Sequence, residues 1–133
     1  MSIPEIYTDG SCLKNPGGPS GWAFGVIENN EEWFVCGGEE SSTNNRMELL
    51  AAIEALEFVQ GSVYNIYTDS DLTLKCATGV WKRKANLDLW ERFNNVSKGK
   101  KLHWFWVKAH NGNKYNEIVD KLANSEAKKY KKK

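Results

Sequence analysis

The chain carries almost no net charge: 18 Lys and Arg face 17 Asp and Glu, a formal +1 over 133 residues. A uniform basic field is therefore absent, and any grip on a polyanion must come from local clusters. Cysteine is scarce. Cys12, Cys36 and Cys76 are an odd number without metal-ligand spacing, which argues against a disulfide framework and fits reduced thiols in a cytoplasmic protein. Long apolar runs are missing as well. None approaches the ~20 residues of a membrane span, and no signal-peptide core is present, so no membrane partner is expected. No internal domain boundary interrupts the chain. What remains, 41% hydrophobic and 26% charged, is ordinary globular composition. Residues 1–133 read as one domain, with a frayed lysine-rich tail from about residue 128. No obligate protein partner is evident, and a monomer is expected. Six tryptophans are many for this length, and some can stand at a binding surface.

One pattern repeats. Ile6-Tyr7-Thr8-Asp9 is echoed by Ile66-Tyr67-Thr68-Asp69. Each copy is a β-prone run that ends on an aspartate and meets small residues. Ligands of open α/β sheets gather at the carboxyl ends of strands. If the two strands are parallel neighbours, about 4.8 Å apart, Asp9 and Asp69 come together. The plain alternative is a pair of Asx turns. Repetition favours a carboxylate pair that holds a cation, and oxygen-only ligands suit Mg²⁺ or Mn²⁺ better than zinc.

Around this echo the pattern predicts strands over 3–9, 21–27 and 32–36, the last two joined by a polar hairpin turn. Residues 12–20 and 37–42 read as loops. Leu49, Ala52, Ile53, Leu56 and Val59 repeat at helical spacing, and Gly61 ends that helix. A strand over 63–69, a short helix from Ser70 and a helix over 87–96 follow. A strand over 102–108, apolar on both faces and so expected to be covered on both, and a helix over 116–128 close the chain. The order β-β-β-α-β-α-α-β-α predicts an α/β fold with a mixed five-stranded sheet and helices on both faces.

Two further acids border these elements. Glu48 fits a capping box over 45–48, yet it also flanks the buried stripe and can overhang the sheet edge. Asp120 borders Val119 and Ala123; alone it reads as a surface ion-pair partner. Together Asp9, Glu48, Asp69 and Asp120 would repel strongly without metal. Two divalent ions about 3.5–4 Å apart would turn them into an in-line phosphoryl-transfer site. His110, in a loop of Gly and Asn, is an ordinary surface histidine alone and a proton shuttle beside such a site. Lys82-Arg83-Lys84 follows Trp81, a basic and aromatic combination suited to a phosphate backbone.

The segments 7–12, 15–17, 43–48, 68–70, 107–110 and 116–120 resemble type 1 ribonuclease H, in that family's order and over nearly the whole chain. The resemblance implies the ribonuclease H-like fold and hydrolysis of the RNA strand of RNA–DNA hybrids, leaving 5′-phosphate and 3′-hydroxyl ends. It implies catalysis at Asp9, Glu48, Asp69 and Asp120 with His110, and two Mg²⁺ ions on the four carboxylates for which Mn²⁺ substitutes. By matching position, Cys12, Asn15, Asn44 and Asn45 would touch the hybrid near the scissile phosphate. Thr43 and Asn86 would hold a phosphate of the DNA strand. Trp81, Lys82, Arg83 and Lys84 look like the remnant of a longer basic handle.

Three departures weaken the expected substrate grip. Asp71 stands where the family commonly has Gln, Ser41 where many members have Arg, and the segment 72–88 is short. No separate hybrid-binding domain is expected before Ile3. Two other readings stay open: a catalytically weak or silent nucleic-acid-binding domain on the same fold, and a DNA-directed resolvase- or transposase-like member. Converging acids argue against the first. The 43–48 block and the His110 loop argue against the second.

Overall fold

The computed structural model describes residues 3–108 and 112–131. Its elements are β1 (Glu5–Cys12), β2 (Ser20–Glu28), β3 (Glu31–Glu39), α1 (Asn44–Phe58), β4 (Val63–Thr68), α2 (Asp71–Ala77), α3 (Leu87–Ser97), β5 (Lys101–Trp106) and α4 (Lys114–Lys129), in the expected order. They build one five-stranded sheet, ordered β3-β2-β1-β4-β5. β1, β2 and β3 pair antiparallel, and β1–β4 and β4–β5 pair parallel. At the β2–β3 turn Asn29 and Asn30 both take positive φ (51° and 68°), the geometry a tight hairpin demands.

The echoed segments lie side by side, with Tyr7 opposite Tyr67 and Thr8 opposite Thr68. There the parallel pairing stops, because Ser70 caps α2 and turns the chain away. β1 itself does not stop at Asp9. It stays paired with β2 through Cys12 opposite Ser20, three residues beyond the expected end. Asp9 therefore sits where β1 loses one neighbour and keeps the other, at the mouth of the resulting cleft.

α1 packs on β1 and β2 with α3 beside it, and the larger core lies between them: Ile6, Phe24, Val26 and Ile66 against Leu49, Ile53, Leu56, Trp90 and Phe93. α4 crosses the other face over β1, β2 and β3, burying Val119 and Ala123 against Tyr7 and Ala23. Helices thus cover both faces. β5 departs from expectation: α4 lies over the far half of the sheet, so Phe105 is 44% exposed on that side. β3 also runs longer than expected, through Gly37 and Gly38 to Glu39. Trp22 and Tyr130 occupy the space that side chains on these two glycines would need.

Two close approaches fix the helices beside Asp9. A Cβ on Gly10 would lie 2.5 Å from the Met47 carbonyl carbon and against the Glu48 backbone nitrogen. One on Gly21 would meet the Ala123 carbonyl oxygen and come within 2.7 Å of the Ala127 nitrogen. Bare backbone at these strand positions lets α1 and α4 settle directly on the sheet.

Candidate active site

Each acid reaches the cleft for a local reason. Asp9 follows the last β1 residue paired with β4, and Asp69 follows the last residue of β4. The α1 cap belongs to Thr43, whose Oγ1 accepts from the Arg46 N–H at 3.2 Å. The expected Asn45–Glu48 capping box is therefore not formed. The cap lies two residues before that box, and α1 packs with Glu48 inward, over Gly10, where it is 4% exposed. One oxygen each from Asp9, Glu48 and Asp69 lies within 4.8 Å of the others.

Asp120 arrives from α4, close enough that its charge and hydrogen bonding act on the Asp9 carboxyl. Asn124, one turn further along α4, donates from Nδ2 to Asp120 Oδ1 at 3.5 Å and accepts from Ser11 Oγ of β1. The strand that carries Asp9 thereby orients the acid of α4. The sequence reading missed Asn124; its position four residues after an acid on the same helix face was the available signal. Trp106 was missed too. Its Nε1 donates to the Asp69 carbonyl oxygen at 3.2 Å and braces the end of β4.

The electrostatics follow from burial. Asp9 is pushed up to about 8, first by desolvation, with the charges of Asp69 and Asp120 adding to it. Glu48 is also raised, by desolvation and then by the charges of Asp9 and Asp69. Asp9 Oδ2 and Glu48 Oε2 are buried without a hydrogen-bond partner among the described residues. Orphaned carboxylate oxygens in an all-oxygen cluster fit a hard divalent cation.

This arrangement has a pH signature. A carboxyl raised on folding contributes stability that is complete below its unfolded value and is lost as pH rises through the folded one. For Asp9 the window runs from about 4 to about 8. Asp88, held down to about 2 first by its hydrogen bond with Arg46, acts below that window. Metal-free protein should therefore melt at lower temperature at pH 8 than at pH 5, and millimolar Mg²⁺ or Mn²⁺ should restore the loss. A melting temperature in EDTA that does not fall between these values would contradict the assignment.

The neighbouring polar residues fall into two groups. In the first, the loop after β1 docks on the segment before α1: Gly17 N–H donates to the Ser42 carbonyl at 2.7 Å, and Ser41 Oγ to the Gly17 carbonyl at 2.7 Å. Cys12 Sγ points at the Gly18 and Ser42 carbonyls, and Asn15 Oδ1 accepts from the Asn44 N–H at 3.1 Å. Cys12, Asn15 and Asn44 are thus brought together beside the N-terminus of α1. In the second, Asn45, Asn86, Trp81, Lys82 and Lys84 line a cavity of about 490 Å³ between α1, α2 and the shortened handle. Asn86 caps α3 with φ 56° and accepts from Arg46 through Oδ1 at 3.2 Å.

Arg83 is not in that cavity. Its guanidinium lies 4.2 Å from the Trp90 ring centre and donates to the Cys76 carbonyl (3.1 Å) and Asn94 Oδ1 (2.6 Å). This fastens the handle remnant to α3. Asp71 pairs with Lys75 at 3.0 Å on the surface. His110 lies outside the described residues.

The RNase H family model matches residues 2–128. The chain belongs to the ribonuclease H family. A ribonuclease H of Neorickettsia sennetsu is 43% identical, over 92% of this chain and 91% of its own. Among solved structures, the N-terminal ribonuclease H domain from Mycobacterium tuberculosis superposes with TM-score 0.86 at 21% identity, covering 98% of this chain and 96% of that one. LC11 ribonuclease H1, solved in complex with an RNA/DNA hybrid, gives TM-score 0.81 at 21% identity, over 95% and 97% of the two chains. The mixed sheet with helices on both faces is the ribonuclease H-like fold.

Proposed function

We propose that this chain is a divalent-metal-dependent endoribonuclease that hydrolyses the RNA strand of RNA–DNA hybrids, leaving 5′-phosphate and 3′-hydroxyl ends. The carrying observation is the three-acid cluster of Asp9, Glu48 and Asp69 on a ribonuclease H-family chain, with one buried oxygen each on Asp9 and Glu48 that lacks a hydrogen-bond partner among the described residues. Asp9, Glu48, Asp69 and Asp120 would hold two Mg²⁺ ions, with Mn²⁺ as substitute. Metal held there would supply Lewis-acid stabilisation of charge developing at the phosphate. The residues of the chain do the rest. Asn124 and Trp106 hold Asp120 and Asp69 in place. Cys12, Asn15, Asn44 and Asn45 face the wide minor groove, where short polar groups can read 2′-hydroxyls. Asn86, its Oδ1 engaged by Arg46, keeps amide N–H donors for a DNA phosphate, together with Thr43. Trp81, Lys82 and Lys84 extend that side along the backbone.

The enzyme is proposed to act as a cytoplasmic monomer. Its three cysteines are free, and no helix among the described residues is long and apolar enough to cross a membrane. The test is cleavage of labelled RNA–DNA, RNA–RNA and DNA–DNA duplexes side by side, with and without Mg²⁺. Metal-dependent scission of the hybrid alone is expected. Binding without scission would indicate a silent domain, and scission of DNA alone a resolvase-like one.

His110 is assigned to deliver a proton to the leaving oxygen. His110→Ala should slow single turnover about 100-fold, the lower end of what a positioned acid–base group contributes, because water can substitute in part. An unchanged rate would return His110 to an ordinary loop residue.

A further inference from the structure

The loop after β1 has a second side. Away from Cys12 and Asn15 it forms, with the end of β3 and the C-terminus of α4, an open groove of about 1030 Å³. Among the described residues, Lys14, Lys128 and Lys131 line it, against one acid, Glu40. The α4 lysines are positioned by structure. α4 continues through Lys129, past the residue where the sequence pattern suggests a tail. Tyr130 then packs on Gly38, and its N–H donates to the Ala127 carbonyl, while the Lys131 N–H donates to the Lys128 carbonyl. Lys129 points elsewhere, paired with Glu126 at 2.8 Å. Tyr130 adds an aromatic face, 36% exposed, beside the lysines.

A cationic groove with an aromatic wall matches the backbone of a nucleic acid. It is continuous with the loop proposed to touch the minor groove. It also lies apart from the handle cavity that Lys82 and Lys84 line. We propose that this groove is a second backbone-binding tract for the same RNA–DNA hybrid, engaging phosphates beyond those beside the carboxylates. The inference rests on the hybrid-cleaving function proposed above.

The test replaces Lys128 and Lys131 together by Ala in the full chain. Kinetics are compared on a long hybrid and on a short one that reaches only the carboxylates and the handle. A Lys98→Ala/Lys101→Ala chain loses the same charge at the opposite end of the sheet and serves as control. For the groove variant, KM on the long hybrid should rise about tenfold with kcat unchanged, because uniform binding is lost. The salt slope of binding should fall by about 1.4–1.8, the sum for two phosphate contacts. The short hybrid and the control should show neither change. An equal rise for the control, an equal rise on the short hybrid, or no rise at all would overturn the groove. So would a concentration-dependent dimer of the wild-type chain that the variant cannot form, which would seat a second copy there. Failure of the wild-type chain to cleave any hybrid would instead overturn the underlying function.

Discussion

Asp9→Asn should abolish hybrid cleavage and at the same time raise the melting temperature of the metal-free protein. The two effects have one cause. Asp9 is 2% exposed, and burial and neighbouring acids push its carboxyl up to about 8. At neutral pH the folded site must either take up a proton or hold an unscreened charge, and both cost folding free energy. Asn has the same shape and needs neither. The gain should be on the order of a few kcal/mol near pH 7, and the pH dependence between 4 and 8 should flatten. The Asn oxygen is a far weaker ligand for a hard cation, so stabilisation by Mg²⁺ should shrink in parallel. Calorimetry in EDTA and in Mg²⁺, together with a single-turnover assay, checks both sides. A variant that cleaves at near wild-type rate, or that melts below wild type at pH 8 without metal, would sink the shared-carboxylate account.

Gly10→Ala should damage the fold and the site together, although it adds only one methyl group and leaves every acid in place. The new Cβ would lie 2.5 Å from the Met47 carbonyl carbon and against the Glu48 nitrogen, both backbone atoms of α1. Side chains can swing aside, but a helix backbone moves as a unit. Overpacking typically costs ~1–3 kcal/mol, and the helix that must shift carries Glu48. We expect a melting temperature several degrees lower and a larger loss in turnover than in substrate affinity. The affinity of the folded variant for Mn²⁺ should fall as well. A Gly10→Ala protein with wild-type melting and wild-type turnover would show that the contact between β1 and α1 does not set the position of Glu48.

Local pattern already carried most of the architecture. The repeated Tyr-Thr-Asp run marks two strands because β-branched and aromatic residues at period two fit a pleated surface, and a following turn releases the chain. The stripe from Leu49 to Leu56 marks α1 because apolar residues at helical spacing leave one face to bury, and those residues are buried in the core. Four acids at element margins were visible for the same reason: position within an element can be read from the neighbours in sequence.

What the neighbours in space contribute could not be read that way. β1 continues to Cys12 because β2 still offers it a ladder after β4 has turned away, a matter of partners distant in the chain. Glu48 points inward because Gly10 admits the helix backbone directly over β1, so identical local sequence could have left it on the surface. Arg83 lies on Trp90, and Asn124 links Ser11 to Asp120, through contacts that exist only once helices and sheet have packed. The raised pKa of Asp9 has the same origin. Residue type sets a carboxyl's ordinary value, but desolvation and the charges of Asp69 and Asp120 act only through the tertiary fold, because both depend on distance and dielectric around the folded site.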